Sequence, residues 1–101
     1  MKITFISNYY NHHQDPFSAC MSQMEGIEYH FISTELISKE RTNSGWKDLN
    51  RSRPYIIRAY ESPESAKAAR NVALDSDIVI IGSAPDSFII PRLRQGKLTF
   101  K

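Results

Sequence analysis

The sequence has little material for covalent or membrane-embedded structure. Cys20 is its single cysteine, so the chain can form neither an internal disulfide nor a cysteine metal cluster, which suits a reducing compartment. Its first apolar run is too short for a signal peptide, and no run approaches the roughly 20 apolar residues that cross a bilayer. We expect a cytoplasmic protein, with the inner face of the membrane as the alternative location.

Glycine is also scarce, at four residues, and no glycine-rich motif is present. The absence of G-x-G-x-x-G after the first apolar run excludes the usual NAD or FAD fingerprint, and the absence of G-x-x-x-x-G-K-[ST] excludes a P-loop kinase. No G-x-S-x-G elbow is found either. His12 and His13 are adjacent, so we expect their side chains to point in different directions and not to bind one metal ion together. No aspartate, glutamate or cysteine cluster supports a metal site either, and we expect none.

The charge is small overall but unevenly distributed. A formal net charge of +2 is too small to imply nucleic acid as a partner. Residues 39–58 carry six basic and two acidic side chains, and residues 92–101 carry four basic side chains and no acid. These clusters are either solvated surface or a patch for a phosphorylated or membrane-bound partner. The arginines of that predicted patch are Arg51, Arg53, Arg92 and Arg94.

Apolar runs and helical periodicities alternate along the 101 residues, which is the size of one domain. The predicted elements are a strand at 2–7, a helix from 15 towards Gly26, strands at 27–34 and 55–60, a helix opening at 62–64, a strand at 77–82, a short helix from 86 to about 95, and a strand at 97–101. This alternation predicts an α/β fold, a Rossmann-like three-layer α/β/α sandwich with a parallel sheet of order about 3-2-1-4-5.

Two details of this assignment can be checked directly. In the first helix we expect Asp15 as the cap and Pro16 in the first turn. The helical spacing also predicts one apolar stripe that faces the sheet, made of Phe17, Cys20, Met21 and Met24. Residues 35–54 are polar and irregular, and a loop of that length indicates either function or a helix or strand that the pattern does not reveal. Within it Trp46 is either a hydrophobic plug or a platform for a partner.

The polar stretch 8–14 directly follows the first strand and is the leading candidate for function. In strand order 3-2-1-4-5 this loop and the 83–86 turn lie side by side at the carboxyl edge of the sheet. His12 and His13 are the candidate catalytic residues, because an imidazole titrates near working pH and can serve as a general base. The alternative is that either histidine caps or packs locally.

The other side chains of these two loops suit a polar, ring-shaped ligand. Amides match sugar hydroxyls, tyrosine rings offer faces for stacking, and the 83–86 turn either caps the next helix or holds a ligand hydroxyl. The predicted substrate-binding residues are Asn8, Tyr9, Tyr10, Asn11, Gln14, Ser83 and Asp86.

Three stretches resemble the amino-terminal domain of bacterial GT-B glycosyltransferases. They are residues 1–14 (MKITFISNYYNHHQ), 55–60 (YIIRAY) and 77–86 (DIVIIGSAPD). The resemblance spans essentially the whole chain as a pattern of strands and loops. It implies that residues 1–101 form the acceptor-side half of a two-domain enzyme, with a carboxyl-terminal domain that binds most of the nucleotide-sugar. This half alone would be inactive or nearly so.

The implied activity is transfer of a sugar from a nucleotide-sugar to a glycan or lipid-linked acceptor, as in polysaccharide or cell-surface glycan synthesis. Such a transfer needs no cofactor, because the nucleotide-sugar is itself the donor substrate. The implied partners are the chain's own carboxyl-terminal domain, donor and acceptor, with peripheral membrane contact and no nucleic acid. Many relatives have a glycine-rich turn in the first loop, whereas this chain has no glycine before Gly26. Retaining relatives often place a histidine after the fourth strand, where this chain has Ser83-Ala84-Pro85. The alternatives are a non-catalytic flavodoxin-like binding or assembly module and part of a sugar-nucleotide epimerase.

Overall fold

The computed structural model describes residues 1–35 and 53–101, and its elements follow the predicted alternation. Trp46 and Arg51 lie outside the described residues. The elements in chain order are β1 (Lys2–Ser7), α1 (Asp15–Ser22), β2 (Glu28–Ser33), β3 (Ile56–Arg58), α2 (Pro63–Asp75), β4 (Ile78–Ile81), a 3-10 turn (Asp86–Phe88), α3 (Ile90–Arg94) and β5 (Thr99–Phe100).

The five strands form one parallel sheet in the order β3-β2-β1-β4-β5, which confirms the predicted order. The chain builds β2 and β3 on one side of β1 and then returns to place β4 and β5 on the other side. The direction of winding therefore reverses between β1 and β4, where Ile6 is in register with Ile81. Such a reversal opens a crevice at the carboxyl ends of the two strands.

Apolar side chains cover both faces of the sheet. Successive residues of a strand point to opposite faces, and in a parallel sheet covered on both sides both sets are apolar. On one face Ile6 and Val79 pack with Ala69 and Ala73 of α2. On the other face Phe31 packs in a second cluster, which Met21 of α1 joins. Helices thus lie on the two faces, and the chain has the predicted Rossmann-like α/β/α arrangement.

Helix α2 follows the local signals in its sequence. The hydroxyl of Ser62 accepts a hydrogen bond from the Ser65 backbone N–H at 3.0 Å, and Pro63 occupies the first turn. Ala69 and Ala73 are fully buried, so the small-residue face brings the helix close to the sheet.

Helix α1 differs from its prediction in both cap and face. Gln14 precedes the helix without a side-chain cap, and Asp15 is its first residue. Phe17 and Met24 are 44% and 49% exposed, so the predicted apolar stripe does not face the sheet as a unit. The buried residue is Ser18, because its hydroxyl forms a 2.6 Å hydrogen bond with the Tyr29 hydroxyl, which satisfies both groups inside the protein.

The last predicted helix is divided into two short pieces. Pro91 has no N–H to donate, so a regular helix cannot run unbroken through the segment before it. A 3-10 turn at Asp86–Phe88 therefore precedes α3 at Ile90–Arg94. Gly96 follows with a φ of 69°, a left-handed conformation that glycine adopts without steric cost and that ends the helix as expected.

Candidate functional site

The candidate site lies where β1 and β4 end side by side. Gly82 follows β4, and its backbone N–H donates to the Ile6 carbonyl at 2.7 Å. A Cβ atom at Gly82 would lie 3.2 Å from the Ser7 hydroxyl oxygen, which is tighter than an ordinary contact. Small residues at the ends of β1 and β4 therefore allow the two loops to lie close together, at the edge of the sheet where such folds bind ligands.

The start of the first loop is fixed by the end of β2. The Asn8 carbonyl accepts hydrogen bonds from the Ser33 hydroxyl at 3.2 Å and from the Glu35 backbone N–H at 2.7 Å. The Asn8 side-chain oxygen accepts one from the Tyr9 backbone N–H at 2.9 Å. Ser7 and Ser33 are buried, so two serines form the polar floor beneath this loop. Neither serine is among the predicted site residues, although both end strands.

Asn11 and Gln14 use their amide groups within the loop. The Asn11 side-chain oxygen accepts a hydrogen bond from the His13 backbone N–H at 2.8 Å, and the Gln14 side-chain oxygen accepts one from the Asn11 backbone N–H at 2.9 Å. Asparagine or serine followed three residues later by glutamine or glutamate is a known signal for a helix start. That signal in the sequence could have predicted this turn.

The two candidate catalytic residues lie on the outer side of the turn. His12 and His13 are exposed, and their ring centroids are 4.1 Å apart with 41° between the ring planes. Both imidazoles are therefore accessible to a ligand at the carboxyl edge of the sheet. The two side chains therefore do not point apart, although the histidines are adjacent in the chain, and their rings lie together as a pair.

The tyrosines of the loop are buried rather than open. Tyr10 is fully buried, and its ring meets Phe31 edge to face with 4.9 Å between centroids. Its hydroxyl donates to the Asp15 carboxylate and lies 2.7 Å from the Tyr55 hydroxyl. Burial, more than these contacts, raises the pKa of the Tyr10 phenol. Tyr10 therefore offers no ring face for ligand stacking, because its ring is buried in the core. Tyr9 is only 6% exposed and offers little more.

Asp15 and Arg53 form a two-point ion pair next to this loop. The Arg53 Nε and a terminal nitrogen lie 3.0 Å and 3.1 Å from the two Asp15 oxygens. The hydrogen bond from Arg53, followed by that from Tyr10, holds the pKa of the Asp15 carboxyl below its usual range. Arg53 is therefore committed to a neighbouring acid within its own domain.

Ser83 and Asp86 are exposed on the loop after β4. Asp86 opens the 3-10 turn, and no side chain caps that turn. The Asp86 carboxylate lies 3.2 Å from the Lys101 ammonium, and both groups are open to solvent. Exposed ion pairs are weak, so this carboxylate can exchange its partner for a ligand hydroxyl.

The predicted arginine patch is corrected by the burial of Arg92. Its guanidinium is fully buried and donates to the carbonyls of Ala73, Ser76 and Leu98 and to other acceptors nearby. Desolvation lowers the pKa of Arg92, and the charge of Asp77 opposes this effect. Arg92 satisfies the carboxyl end of α2 from within, so it cannot meet an external acceptor. Arg94 is the exposed arginine of that segment.

Residues 1–35 and 53–101 contain neither a candidate metal site nor a helix that could span a membrane. No group of three histidine, cysteine, aspartate or glutamate side chains there could hold a metal ion. No helix in these ranges has the length and apolar character needed to cross a membrane.

Comparisons with protein-family models, curated proteins and solved structures give no match to this chain.

Proposed function

We propose that this chain is the acceptor-side domain of a glycosyltransferase that moves a sugar from a nucleotide-sugar to a glycan or lipid-linked acceptor. One observation supports the proposal above the others. The exposed histidine pair and the 83–86 turn follow β1 and β4, the two adjacent strands at which the winding of the sheet reverses. Open α/β sheets bind their ligands at this position.

In the proposed reaction an acceptor hydroxyl attacks the anomeric carbon of the donor sugar. The bond between that carbon and the phosphate oxygen breaks, and the nucleoside diphosphate leaves with the electron pair. His12 or His13 takes the proton of the attacking hydroxyl as general base. Ser83 and Asp86 hold sugar hydroxyls from the neighbouring loop, while a carboxyl-terminal domain supplies most contacts to the nucleotide.

The test is sugar transfer by the intact protein, with a panel of nucleotide-sugars and with the appearance of free nucleoside diphosphate and glycosylated acceptor as the readout. The double variant His12→Ala/His13→Ala should lower kcat by about 10²- to 10⁴-fold, the range typical of general base catalysis. His30→Ala is the matched control, because His30 lies within β2 and contacts Glu28.

Each single variant then identifies which imidazole accepts the proton. Wild-type kcat in the double variant would contradict the proposed roles of the histidines. A protein that converts the donor without an acceptor would be an epimerase, and one that consumes no donor would be a binding or assembly module.

A further inference from the structure

The turn that carries the histidine pair is held by reciprocal contacts between side chain and backbone. Asn11 binds the backbone N–H of His13, and Gln14 binds the backbone N–H of Asn11. The Asn11 carbonyl also accepts from the N–H groups of Gln14 and Asp15, at 3.1 Å and 3.2 Å. Asn11 is 8% exposed although the two histidines beside it are exposed. Its amide is therefore engaged with the turn and lies largely out of reach of a ligand.

We propose that Asn11 is a positioning residue that fixes the backbone of His13, and with it the histidine pair, at the carboxyl end of β1. The inference rests on the proposed function, because it gives Asn11 a part in the same transfer reaction. It replaces the direct contact with sugar hydroxyls that the sequence predicts for Asn11.

The hydrogen bond between the Asn11 side chain and the His13 backbone matters because both ends of the turn are fixed. Before the turn Tyr10 is fully buried, and after it the chain enters α1 at Asp15. Both ends are thus anchored in the domain, and the Asn11 side chain is the contact that holds the His13 backbone N–H between them. Transfer rates fall steeply when a catalytic group is displaced, by as much as about 100-fold for a shift near 1 Å.

Two substitutions separate the hydrogen bond from the bulk of the side chain. Asn11→Asp keeps an oxygen that can accept from the His13 N–H, whereas Asn11→Ala removes it. Gln14→Glu and Gln14→Ala form a second pair, because Gln14 holds the Asn11 N–H in the same way. Thermal unfolding of every variant shows which of them keep the fold. If Asn11→Ala does not fold, the two Gln14 variants test the same turn in its place.

The readouts are hydrogen exchange at the His13 amide and the kinetics of sugar transfer, both in the intact protein. Asn11→Ala should speed exchange by about fivefold, the effect of one ordinary hydrogen bond, and should lower kcat by about 10- to 100-fold with little change in KM. Asn11→Asp should restore both quantities. A pH series accompanies the kinetics, because aspartate adds a charge beside the imidazoles.

Three outcomes would overturn the inference, and they differ from one another. A His13 amide that stays protected in Asn11→Ala means that Asn11 does not hold it. Faster exchange with an unchanged kcat removes the positioning role and leaves the proposed function standing. A wild-type protein that transfers no sugar but protects the His13 amide contradicts the proposed function itself, and the contact is then part of the fold alone.

Discussion

The Tyr10 hydroxyl donates a hydrogen bond to the Asp15 carboxylate. The tyrosine whose buried ring anchors the first loop thus also binds the first residue of α1. The Asp15 carboxylate also accepts hydrogen bonds from two nitrogens of Arg53, which lies just before β3. One carboxylate thus joins the loop after β1, the start of a helix and the approach to the edge strand of the sheet. Because the histidine turn lies between Tyr10 and Asp15, this network also bounds the candidate site.

Removing the Tyr10 hydroxyl should weaken the fold measurably. Tyr10→Phe keeps the ring against Phe31 but removes the hydrogen bonds to Asp15 and Tyr55, so we expect the free energy of unfolding to fall by about 1–2 kcal/mol. Urea unfolding measures it. In a cycle with Tyr55→Phe, the double variant should lose less than the sum of the single losses, because both changes remove the same hydroxyl contact. Strict additivity would show that the two hydroxyls do not interact.

The charge of Asp15 should make stability depend on pH in the acid range. Its pKa is lower in the folded protein than the ordinary 3.8, so the unfolded chain binds more protons near that pH. The stabilisation is present above pH 3.8 and is lost as the pH falls through the folded pKa. Unfolding of wild type and Asp15→Asn between about pH 2 and 6 should show a smaller pH slope in the variant. Equal slopes would mean that the ion pair with Arg53 does not stabilise the fold.

Arg92 should matter for stability and not for ligand binding. Replacing it with methionine leaves several buried carbonyls at the end of α2 without donors, and we expect a loss of about 3 kcal/mol in the free energy of unfolding. Arg94→Met is the matched control, because Arg94 is exposed on the same short helix and should change stability by less than about 0.5 kcal/mol. Similar losses in the two variants would contradict the structural role of Arg92.

The strands and their order are predictable from this sequence because their signals are local and repeated. The run Ile78–Ile81 is short and β-branched, which favours a strand over a helix, and alternation with helices leaves few topologies. The start of β1 and the amino-terminal cap of α2 follow from the same kind of signal. These predictions need no knowledge of distant contacts.

The errors concern residues whose partners are far away in the sequence. Arg92 looks like surface charge until α2 ends beside it and offers carbonyls to its guanidinium. Ser18 looks like a polar residue on the outside of α1 until Tyr29 supplies a hydroxyl across the interface. Composition cannot show such pairs, because each partner comes from another element. The Asn11 and Gln14 pair is different, since its spacing alone carries the signal.

Gly82 offers the last test, because it separates crowding at the strand ends from filling of the crevice. Gly82→Ala places a Cβ 3.2 Å from the Ser7 hydroxyl oxygen, and Gly82→Val adds further volume above the ends of β1 and β4. If the proposed function holds, we expect the rate of sugar transfer to fall about 10-fold or more in Gly82→Val, since small displacements at a reacting centre are costly.

Adding Ser7→Ala to Gly82→Ala removes the crowding oxygen, so it should recover the free energy of unfolding lost in the single variant. It should not recover transfer if the added carbon occupies space that the substrate needs. Thermal unfolding and initial rates of transfer, measured on the same preparations, distinguish the two effects. Wild-type transfer by Gly82→Val would contradict a ligand site at the switch point between β1 and β4 and would favour a site at the other strand ends.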